Sequence, residues 1–376
     1  MVHKPSIRIY HASKRPENHM KILHIITSLL TGGAEKLMVD LLPRLRDLGN
    51  DVELLIFYGE RTPFYEQLES KGIKIHVLGM NRNMYNPINI LKIKRFIGKY
   101  DIIHTHNTAC QLFTAIASLG TKQIICTTEH NTSNRRRGNK FLAIIDRWMY
   151  SRYKKIICIS EGTEAELKKS IKGIKAGLTI IIQNGIDVRR FAEAVPAAKE
   201  SSEWKGRHII MQIAAFREQK DQDTTIRAMT HLPEEYHAVF VGDGIRKESC
   251  IKLAKELGVE KQCSFLGVRS DVPQLIKAAD IIVMSSHWEG FGLAAVEGMA
   301  AGKPVVASNV AGIREIVKDA GVLFPPHDEQ RLAKEIIRLV EDQAYTEQII
   351  HLCQIRSMEF DISVMAKRYN QTYNEL

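Results

Sequence analysis

The chain has 376 residues, of which 44% are hydrophobic and 26% are charged, and these values are typical of globular rather than disordered proteins. This length predicts two domains, each large enough to bury its own core. The formal net charge of +10 favours anionic partners, but charge alone does not choose among nucleic acids, anionic membranes and phosphorylated small molecules.

The lengths of the apolar runs and the spacing of the cysteines argue against membrane-spanning, secreted and zinc-binding proteins. No run reaches the roughly 20 residues that span a bilayer, and residues 1–19, which we assign to an N-terminal extension, lack the apolar segment of a secretory signal peptide. We therefore expect a cytoplasmic protein. The six cysteines form no CxxC pair, which favours reduced thiols over a disulfide framework or a zinc site. No metal or other cofactor is indicated.

Short apolar runs alternate with longer amphipathic stretches, which is typical of parallel strands joined by helical crossovers. Seven runs predict strands in a first domain over residues 20–187, and they begin at Lys21, Asp51, Lys74, Asp101, Gln123, Lys155 and Thr179. After a polar connection over 188–206, six runs predict a second domain over 207–360: IIMQIAAF, HAVFVGDG, CSFLGV, DIIVMSS, PVVASN and GVLF. We expect two doubly wound α/β domains whose strand ends line a shared cleft.

The stretch TGGAE follows the first predicted strand and places Gly32 and Gly33 where a helix begins. Glycines at such a turn let backbone amides approach an anion closely, although a simple tight turn has the same composition. Neither GxGxxG nor GxxxxGK[ST] occurs in the chain. Their absence argues against a dinucleotide-dependent dehydrogenase and a P-loop NTPase.

Histidines end two predicted strands of the first domain. DIIHTHN places His104 and His106 on the same side of one strand, and TTEHN ends another with Glu129 and His130. Imidazoles at strand ends can hydrogen-bond sugar hydroxyls or stabilise charge on a reacting group. The alternative is a structural hydrogen-bonding role within the sheet.

A basic amphipathic helix is predicted over residues 134–155, with apolar residues at helical spacing beside a basic face. Such a helix either lies on an anionic membrane or packs on its own sheet. The basic residues available for membrane contact are Arg135 to Arg137, Lys154 and Lys155, at roughly 1 kcal/mol each near an anionic surface.

The second domain carries two charged stretches at predicted strand ends. AAFREQKDQ offers Arg217 and Lys220, which either hold phosphate or form a solvated helical turn. In SSHWEGFGLAAVEGM, Gly290 and Gly292 precede an apolar helix whose first amides favour a phosphate. Its two glutamates, with seven residues between them, either bracket a bound ligand or are ordinary surface groups beside a packed helix.

Several stretches, in this order and spacing, resemble the retaining, nucleotide-sugar-dependent glycosyltransferases of family 4, from about Met20 to the end. They are TGGAE, HTHN, ISEGTEAEL, NGID, FREQKDQ, VGDG, FLGVRSDV and the pair Glu289 and Glu297 in an E-x7-E arrangement. The resemblance implies the α/β GT-B fold, with two Rossmann-like domains facing across an interdomain cleft. The first domain would hold the acceptor and the second the donor, and a helix in residues 361–376 would cross back to the first domain.

The resemblance also implies roles for single residues. Glu289 and His106 are the catalytic residues beside the transferred sugar, and His130 lies on the acceptor side. The donor-binding residues are Gly33, Arg217, Lys220, Phe265, Gly267, Gly290, Phe291, Gly292, Leu293 and Glu297. Among these, Lys220 holds the diphosphate, Glu297 the ribose hydroxyls, and the turn at Phe265 to Gly267 the nucleobase. The family usually has an arginine five positions before the lysine, where this chain has Ala215.

The implied function is transfer of a sugar from a nucleotide sugar, a UDP-sugar in particular, to a glycan or lipid-linked acceptor in cell-surface polysaccharide biosynthesis. The resemblance further implies retention of configuration, no bound metal, and peripheral contact with the inner face of the membrane. A nucleotide-sugar-binding protein without transfer and a GT-B epimerase are the alternatives. No RNP, helix-turn-helix or zinc-finger pattern occurs, so we expect no nucleic-acid partner.

Overall fold

The computed structural model describes residues 19–30, 32–80, 83–130, 140–171, 173–198 and 204–376. Within these residues the chain forms two parallel sheets, one of seven strands and one of six. Every predicted apolar run forms a strand of the expected sheet. The prediction of two doubly wound α/β domains is therefore confirmed.

The first sheet has the strand order β3-β2-β1-β4-β5-β6-β7. Its strands are β1 (Lys21–Ile26), β2 (Asp51–Tyr58), β3 (Lys74–Gly79), β4 (Ile102–His106), β5 (Ile124–Glu129), β6 (Lys155–Cys158) and β7 (Thr179–Ile181). The helices between them are α1 (Gly33–Asp47), α2 (Pro63–Ser70), α3 (Ile88–Lys94), α4 (Thr108–Ala117), α5 (Lys140–Ser151) and α6 (Glu161–Ser170). The order reverses between β1 and β4, and parallel sheets bind ligands in the crevice at such a switch point.

Alternating side chains of β1 divide between two cores, because successive residues of a strand point to opposite faces of the sheet. Ile22 and Ile26 belong to the core that contains helix α1. Leu23 and Ile25 belong to the core on the other face, which contains α4. The first sheet is therefore covered on both faces, as parallel sheets usually are.

The second sheet has the strand order β10-β9-β8-β11-β12-β13. Its strands are β8 (His208–Ile213), β9 (Tyr236–Val241), β10 (Cys263–Gly267), β11 (Ile281–Met284), β12 (Val305–Ser308) and β13 (Val322–Phe324). The helices are α7 (Val188–Ala192), α8 (Gln222–Met229), α9 (Lys247–Glu256), α10 (Val272–Ala278), α11 (Leu293–Ala300), α12 (Arg314–Val317), α13 (Glu329–Glu341) and α14 (Gln343–Met358). Two short 3-10 turns, Glu218–Lys220 and Glu260–Gln262, follow β8 and precede β10.

The last helix, α15 (Ile362–Asn374), returns to the first domain. Where the chain crosses back, Ile186 N–H donates to Phe360 O at 2.9 Å and Ile362 N–H donates to Ile186 O at 2.8 Å. Tyr369 and Tyr373 of α15 are buried in the core that contains α1. The two chain crossings between the domains are thus hydrogen-bonded to each other.

Helix α5 lies within the predicted basic amphipathic helix. Met149 and Tyr150 are buried against the sheet, whereas Ile144 is 69% exposed and Trp148 is 37% exposed. The helix therefore packs on its own domain while presenting two large apolar side chains to solvent. Residues Arg135 to Arg137 lie outside the described part of the chain. Among the described helices, none is long and apolar enough to span a bilayer.

Candidate active site

A cleft of about 690 Å³ lies between the C-terminal strand ends of the two sheets. The first domain contributes the start of α1, His130 and Asn184, and the second contributes the loops that follow β8 and β11. The predicted site residues that line the cleft are Gly33, Arg217, Lys220, Glu289, Gly290, Phe291, Gly292, Leu293, Glu297 and His130. The structure therefore brings together most of the proposed donor site.

Lys220 and Glu289 form an ion pair at the centre of the second-domain wall. Lys220 Nζ lies 2.6 Å and 2.7 Å from the two carboxylate oxygens of Glu289. Both side chains are largely buried, at 19% and 12% exposure. Their sequence motifs point to separate roles, but in the structure each residue is the partner of the other. A bound diphosphate would therefore have to share Lys220 with Glu289.

Gln219 holds together the two loops that carry the ion pair. Its carbonyl oxygen accepts from His287 N–H at 2.9 Å, and its side-chain Nε2 donates to Trp288 O at 2.9 Å. The same Nε2 donates to Glu289 Oε2 at 3.1 Å. The carboxylate of Glu289 is thus oriented by two side chains from the opposite loop, which favours one fixed position in the cleft.

The N-terminus of α11 opens into the cleft beside Glu289. Gly292 caps this helix with a φ of +86°, a conformation that glycine adopts without strain. Leu293 and Ala294 stand in the first helical turn, where backbone N–H groups have no helical acceptor. These amides and the positive end of the helix dipole favour an anion at this point.

Glu297 lies one turn further along α11 and lines the same cleft. Burial raises the pKa of its carboxyl to about 7, against the opposing effect of Lys36 and Arg190. Near neutral pH this carboxyl is therefore divided between its ionised and protonated forms. Either form can hydrogen-bond a hydroxyl group of a ligand.

His106 does not line the cleft, contrary to the expectation that it faces the transferred sugar. It is fully buried, because β4 is a central strand and α15 covers the face on which His104 and His106 lie. His130 lines the cleft instead, since it directly follows the last residue of β5. The imidazole of His130 can therefore contact a ligand in the cleft, whereas His106 contacts His130 from the interior of the domain.

A chain of imidazoles connects His130 to the interior. His106 Nδ1 lies 3.0 Å from His130 Nε2, and His106 Nε2 lies 3.0 Å from His24 Nδ1. Tyr373 of α15 closes the network, with its hydroxyl 2.7 Å from His104 Nδ1 and 3.5 Å from His24 Nε2. The orientation of His130 is therefore fixed by residues of β1, β4 and the C-terminal helix.

The histidines of this network are neutral at physiological pH. Burial lowers the pKa of His130 to about 4 and that of His24 to about 3, and burial also lowers the pKa of His106. Each neutral ring has one N–H and one lone pair, so all hydrogen bonds along the chain must run in the same direction. That direction decides whether Nδ1 of His130 offers a donor or an acceptor to a ligand.

Phe265 and Gly267, predicted to line the nucleobase, lie at the end of β10 and outside the cleft lining. The ring of Phe265 stacks on Phe240 with centroids 5.1 Å apart. Gly267 accepts a backbone hydrogen bond from Gly242 N–H at 2.8 Å. Both residues therefore support the sheet edge rather than contact the described cleft.

Sequence reasoning did not single out three residues of the cleft wall. Asn184 is buried, and its Oδ1 has no hydrogen-bond partner among the described residues. Trp288 is 46% exposed beside Glu289. Burial raises the pKa of Glu35, in the first turn of α1, above its usual value. All three lay in quoted motifs, Glu35 in TGGAE, Asn184 in NGID and Trp288 in SSHWEGFGLAAVEGM, but no role was assigned to them there.

Two family models match the two halves of the chain. The model described as Glycosyltransferase Family 4 matches residues 31–190, and the model described as Glycosyl transferases group 1 matches residues 195–351. Together they include both walls of the cleft. The chain belongs to glycosyltransferase family 4. Membership of this family and the GT-B fold, both expected from sequence, are confirmed.

The glycosyltransferase is similar to proteins of known structure and activity. HepE from Anabaena, crystallised with UDP and glucose, superimposes with a TM-score of 0.83 at 25% identity, covering 95% of this chain and all of HepE. The UDP-Gal:alpha-D-GlcNAc-diphosphoundecaprenol alpha-1,3-galactosyltransferase of Escherichia coli is 24% identical, covering 88% of this chain and 90% of that enzyme. The N-acetyl-alpha-D-glucosaminyl L-malate synthase of Bacillus anthracis is 25% identical, covering 83% and 85%.

Proposed function

We propose that this glycosyltransferase moves a hexose from a UDP-sugar to a lipid-linked or glycan acceptor of a cell-surface polysaccharide. The observation that carries the proposal is the single wall formed by Lys220, the first amides of α11 and Glu297. A cation, free amides and a half-buried carboxyl in this order match the diphosphate and ribose of a nucleotide sugar. The likeness to a HepE crystallised with UDP supports uridine as the base.

The chemistry requires stabilisation of the departing nucleoside diphosphate. As the anomeric bond breaks, negative charge grows on the diphosphate and positive charge on the sugar ring. Lys220 and the amides of Leu293 and Ala294 are placed to stabilise the first charge, and the carboxylate of Glu289 the second. Arg217, exposed at the cleft mouth, supplies a further cation where the family arginine is replaced by Ala215. Lys220, Arg217 and the amides at the start of α11 supply the positive charge that a metal ion would otherwise bring. Transfer therefore proceeds without a metal ion.

We propose that the anomeric configuration is retained. The acceptor hydroxyl attacks from the face that the diphosphate leaves, and the departing phosphate takes the acceptor's proton. Neutral His130, on the opposite wall, hydrogen-bonds the sugar and helps to fix its orientation. In this assignment His106 positions His130 and does not touch the substrate.

The test is a donor and acceptor panel with the purified protein. UDP-, GDP- and ADP-sugars are compared by thermal shift and by release of nucleoside diphosphate, with and without polyprenyl-diphosphate-linked sugars. We expect a UDP-sugar to stabilise the protein and to be consumed faster when acceptor is present, with no stimulation by added Mg²⁺ or Mn²⁺. Stabilisation without turnover would indicate a binding protein, and conversion of the donor sugar without acceptor would indicate an epimerase.

We further propose that the exposed face of α5 contacts the cytoplasmic surface of an anionic membrane. Ile144 and Trp148 lie on this face, Arg147 is exposed on the same helix, and Lys154 is exposed three residues after the helix ends. Apolar side chains flanked by cations are the composition of helices that lie in a membrane interface. A lipid-linked acceptor would then be presented at the same surface.

Flotation with vesicles of anionic lipid checks this contact. Changing both Ile144 and Trp148 to glutamate should reduce the bound fraction at least about tenfold, because apolar burial is lost and two like charges are added. Ile355→Glu, at an exposed apolar position of α14 in the second domain, is the matched control. Equal flotation of the double variant and this control would exclude α5 as the contact.

A further inference from the structure

Three side chains from separate loops of the second domain converge outside the cleft. Asp221 precedes α8, His287 follows β11, and His327 follows β13. Asp221 Oδ2 lies 3.4 Å from His287 Nδ1 and 3.8 Å from His327 Nδ1, and the three atoms lie within 4.8 Å of one another. None of the three lines the donor cleft, so the cluster is separate from the transfer site.

The contacts within this cluster leave one of its polar atoms without a hydrogen bond. Nδ1 of His287 is buried and makes no hydrogen bond within the described residues. The rings of His287 and His327 lie with centroids 4.4 Å apart, and their Nδ1 atoms converge on one buried carboxylate. When neither Nδ1 carries a proton, two nitrogen lone pairs beside a carboxylate form an electron-rich pocket, which a cation would stabilise.

Backbone conformation shows that two of the three residues are held under strain. Asp221 has a φ of +44° and His327 a φ of +64°, a region that costs non-glycine residues about 1 to 3 kcal/mol. The carboxylate of Asp221 is further fixed by Thr224, whose N–H donates to Oδ1 at 3.3 Å and whose hydroxyl donates to Oδ2 at 2.6 Å.

We propose that Asp221, His287 and His327 form a binding site for a divalent transition-metal ion of the zinc class. Ligand atoms held 2.0 to 2.1 Å from a tetrahedral zinc ion are roughly 3.3 Å apart, close to the observed separations of 3.4 Å and 3.8 Å. Two imidazoles and one carboxylate suit zinc, with water as the fourth ligand. Magnesium and calcium prefer oxygen ligands alone, so the two nitrogens argue against them.

The ion would be structural rather than catalytic. Asp221 directly follows Lys220, and His287 lies two residues before Glu289. An ion bound to Asp221 and His287 therefore joins the two loops that carry the ion pair of the cleft, and His327 anchors both to the loop after β13. The inference does not rest on the proposed function, because it concerns residues that no donor would touch.

Zinc titration of untagged, chelator-treated protein tests the site. Isothermal titration calorimetry should show one zinc ion per chain, and zinc should raise the thermal midpoint because it binds the folded state. Co²⁺ in its place should give the visible absorption of a tetrahedral nitrogen and oxygen site. His327→Gly removes one ligand at a position whose φ suits glycine, so the variant should fold. Its zinc affinity should fall at least about 100-fold, more than the loss of an outer-shell partner costs.

Asp319→Gly is the matched control, since Asp319 is exposed and has a similar φ of +63° but contributes no ligand. Its zinc affinity should equal that of the wild type. Equal zinc affinity of the wild type and His327→Gly, as expected for an adventitious ion on other histidines, would overturn the proposal. So would the lack of any saturable zinc binding by the wild type.

Discussion

Replacing Glu289 with alanine should lower the turnover of the glycosyltransferase by at least about a hundredfold, the scale of a lost positioned catalytic group. The structure adds a second expectation. Lys220 is paired with Glu289 in the cleft, so removing the carboxylate releases the cation for a diphosphate. The affinity for UDP should therefore stay equal or increase while the turnover falls. Initial rates and calorimetry with UDP measure the two quantities separately.

Two variants separate the possible causes of this loss. Glu289→Gln keeps the shape and the hydrogen bond to Gln219 but removes the charge, and it should lose nearly as much turnover if the carboxylate acts electrostatically. Glu218→Ala removes an exposed carboxylate from the neighbouring loop and should change neither quantity. A folded Glu289→Ala protein with near-normal turnover would remove Glu289 from the mechanism.

Gly312→Ala should abolish most activity although residue 312 carries no functional group. A Cβ at this position would lie 2.2 Å from Glu289 O and 2.8 Å from Glu289 C, and the backbone has a φ of +86°. The peptide that follows Glu289 must therefore move. Displacement of a reacting group by about 1 Å can cost a hundredfold in rate. We expect a loss of that size in kcat/KM, together with about 1 to 3 kcal/mol less unfolding free energy from the strained backbone.

Gly258→Ala provides the comparison for this prediction. Gly258 has a similar φ of +72°, but a Cβ there meets nothing within 4 Å. Gly312→Ala should lose more stability than Gly258→Ala in urea unfolding, because both place a side chain in the left-handed region but only the Cβ at residue 312 also clashes with backbone atoms. Only Gly312→Ala should lose activity at a temperature where both are folded. Equal activities would show that the backbone contact between Gly312 and Glu289 does not position the carboxylate.

The strands were predictable because the signal for each is local. A buried parallel strand is a short apolar run bounded by polar or turn residues, and DIIVMSS or PVVASN shows this within one window. Helices were harder to place. Helix α7 begins at Val188, at the start of the predicted polar connection, and Val188 and Phe191 belong to the second core. A five-residue helix contains too few turns to show a periodic pattern.

The histidines illustrate what strand periodicity leaves undetermined. A period of two correctly places His104 and His106 on one face, but it does not say what covers that face. Helix α15 covers it, and its Tyr373 lies 269 residues from His104 along the chain. His130 reaches the cleft because it follows β5 rather than belonging to it. Which imidazole meets a ligand therefore depends on a distant helix.

Long-range pairing explains the other differences between sequence and structure. Lys220 and Glu289 lie 69 residues apart, and their motifs pointed to phosphate and sugar separately. Asp221, His287 and His327 span more than a hundred residues and match no metal-binding spacing, so their convergence was not expected. The sequence shows which side chains are present. The strand order of the second sheet determines which of these side chains lie close together, and no local motif predicts that order.

The paired crossings between the domains also limit how the enzyme can move. Ile186 and Ile362 are joined by a backbone hydrogen bond, and a Cβ on neighbouring Gly185 would lie 2.9 Å from Ile362 Cα. Two covalent connections fastened side by side act as a hinge with a single axis, whereas one connection would also permit twisting. We therefore expect opening of the cleft to separate the rim far from Ile186 most and the rim beside Ile186 least. We therefore expect short and long substrates alike to enter the cleft from the rim that is far from Ile186.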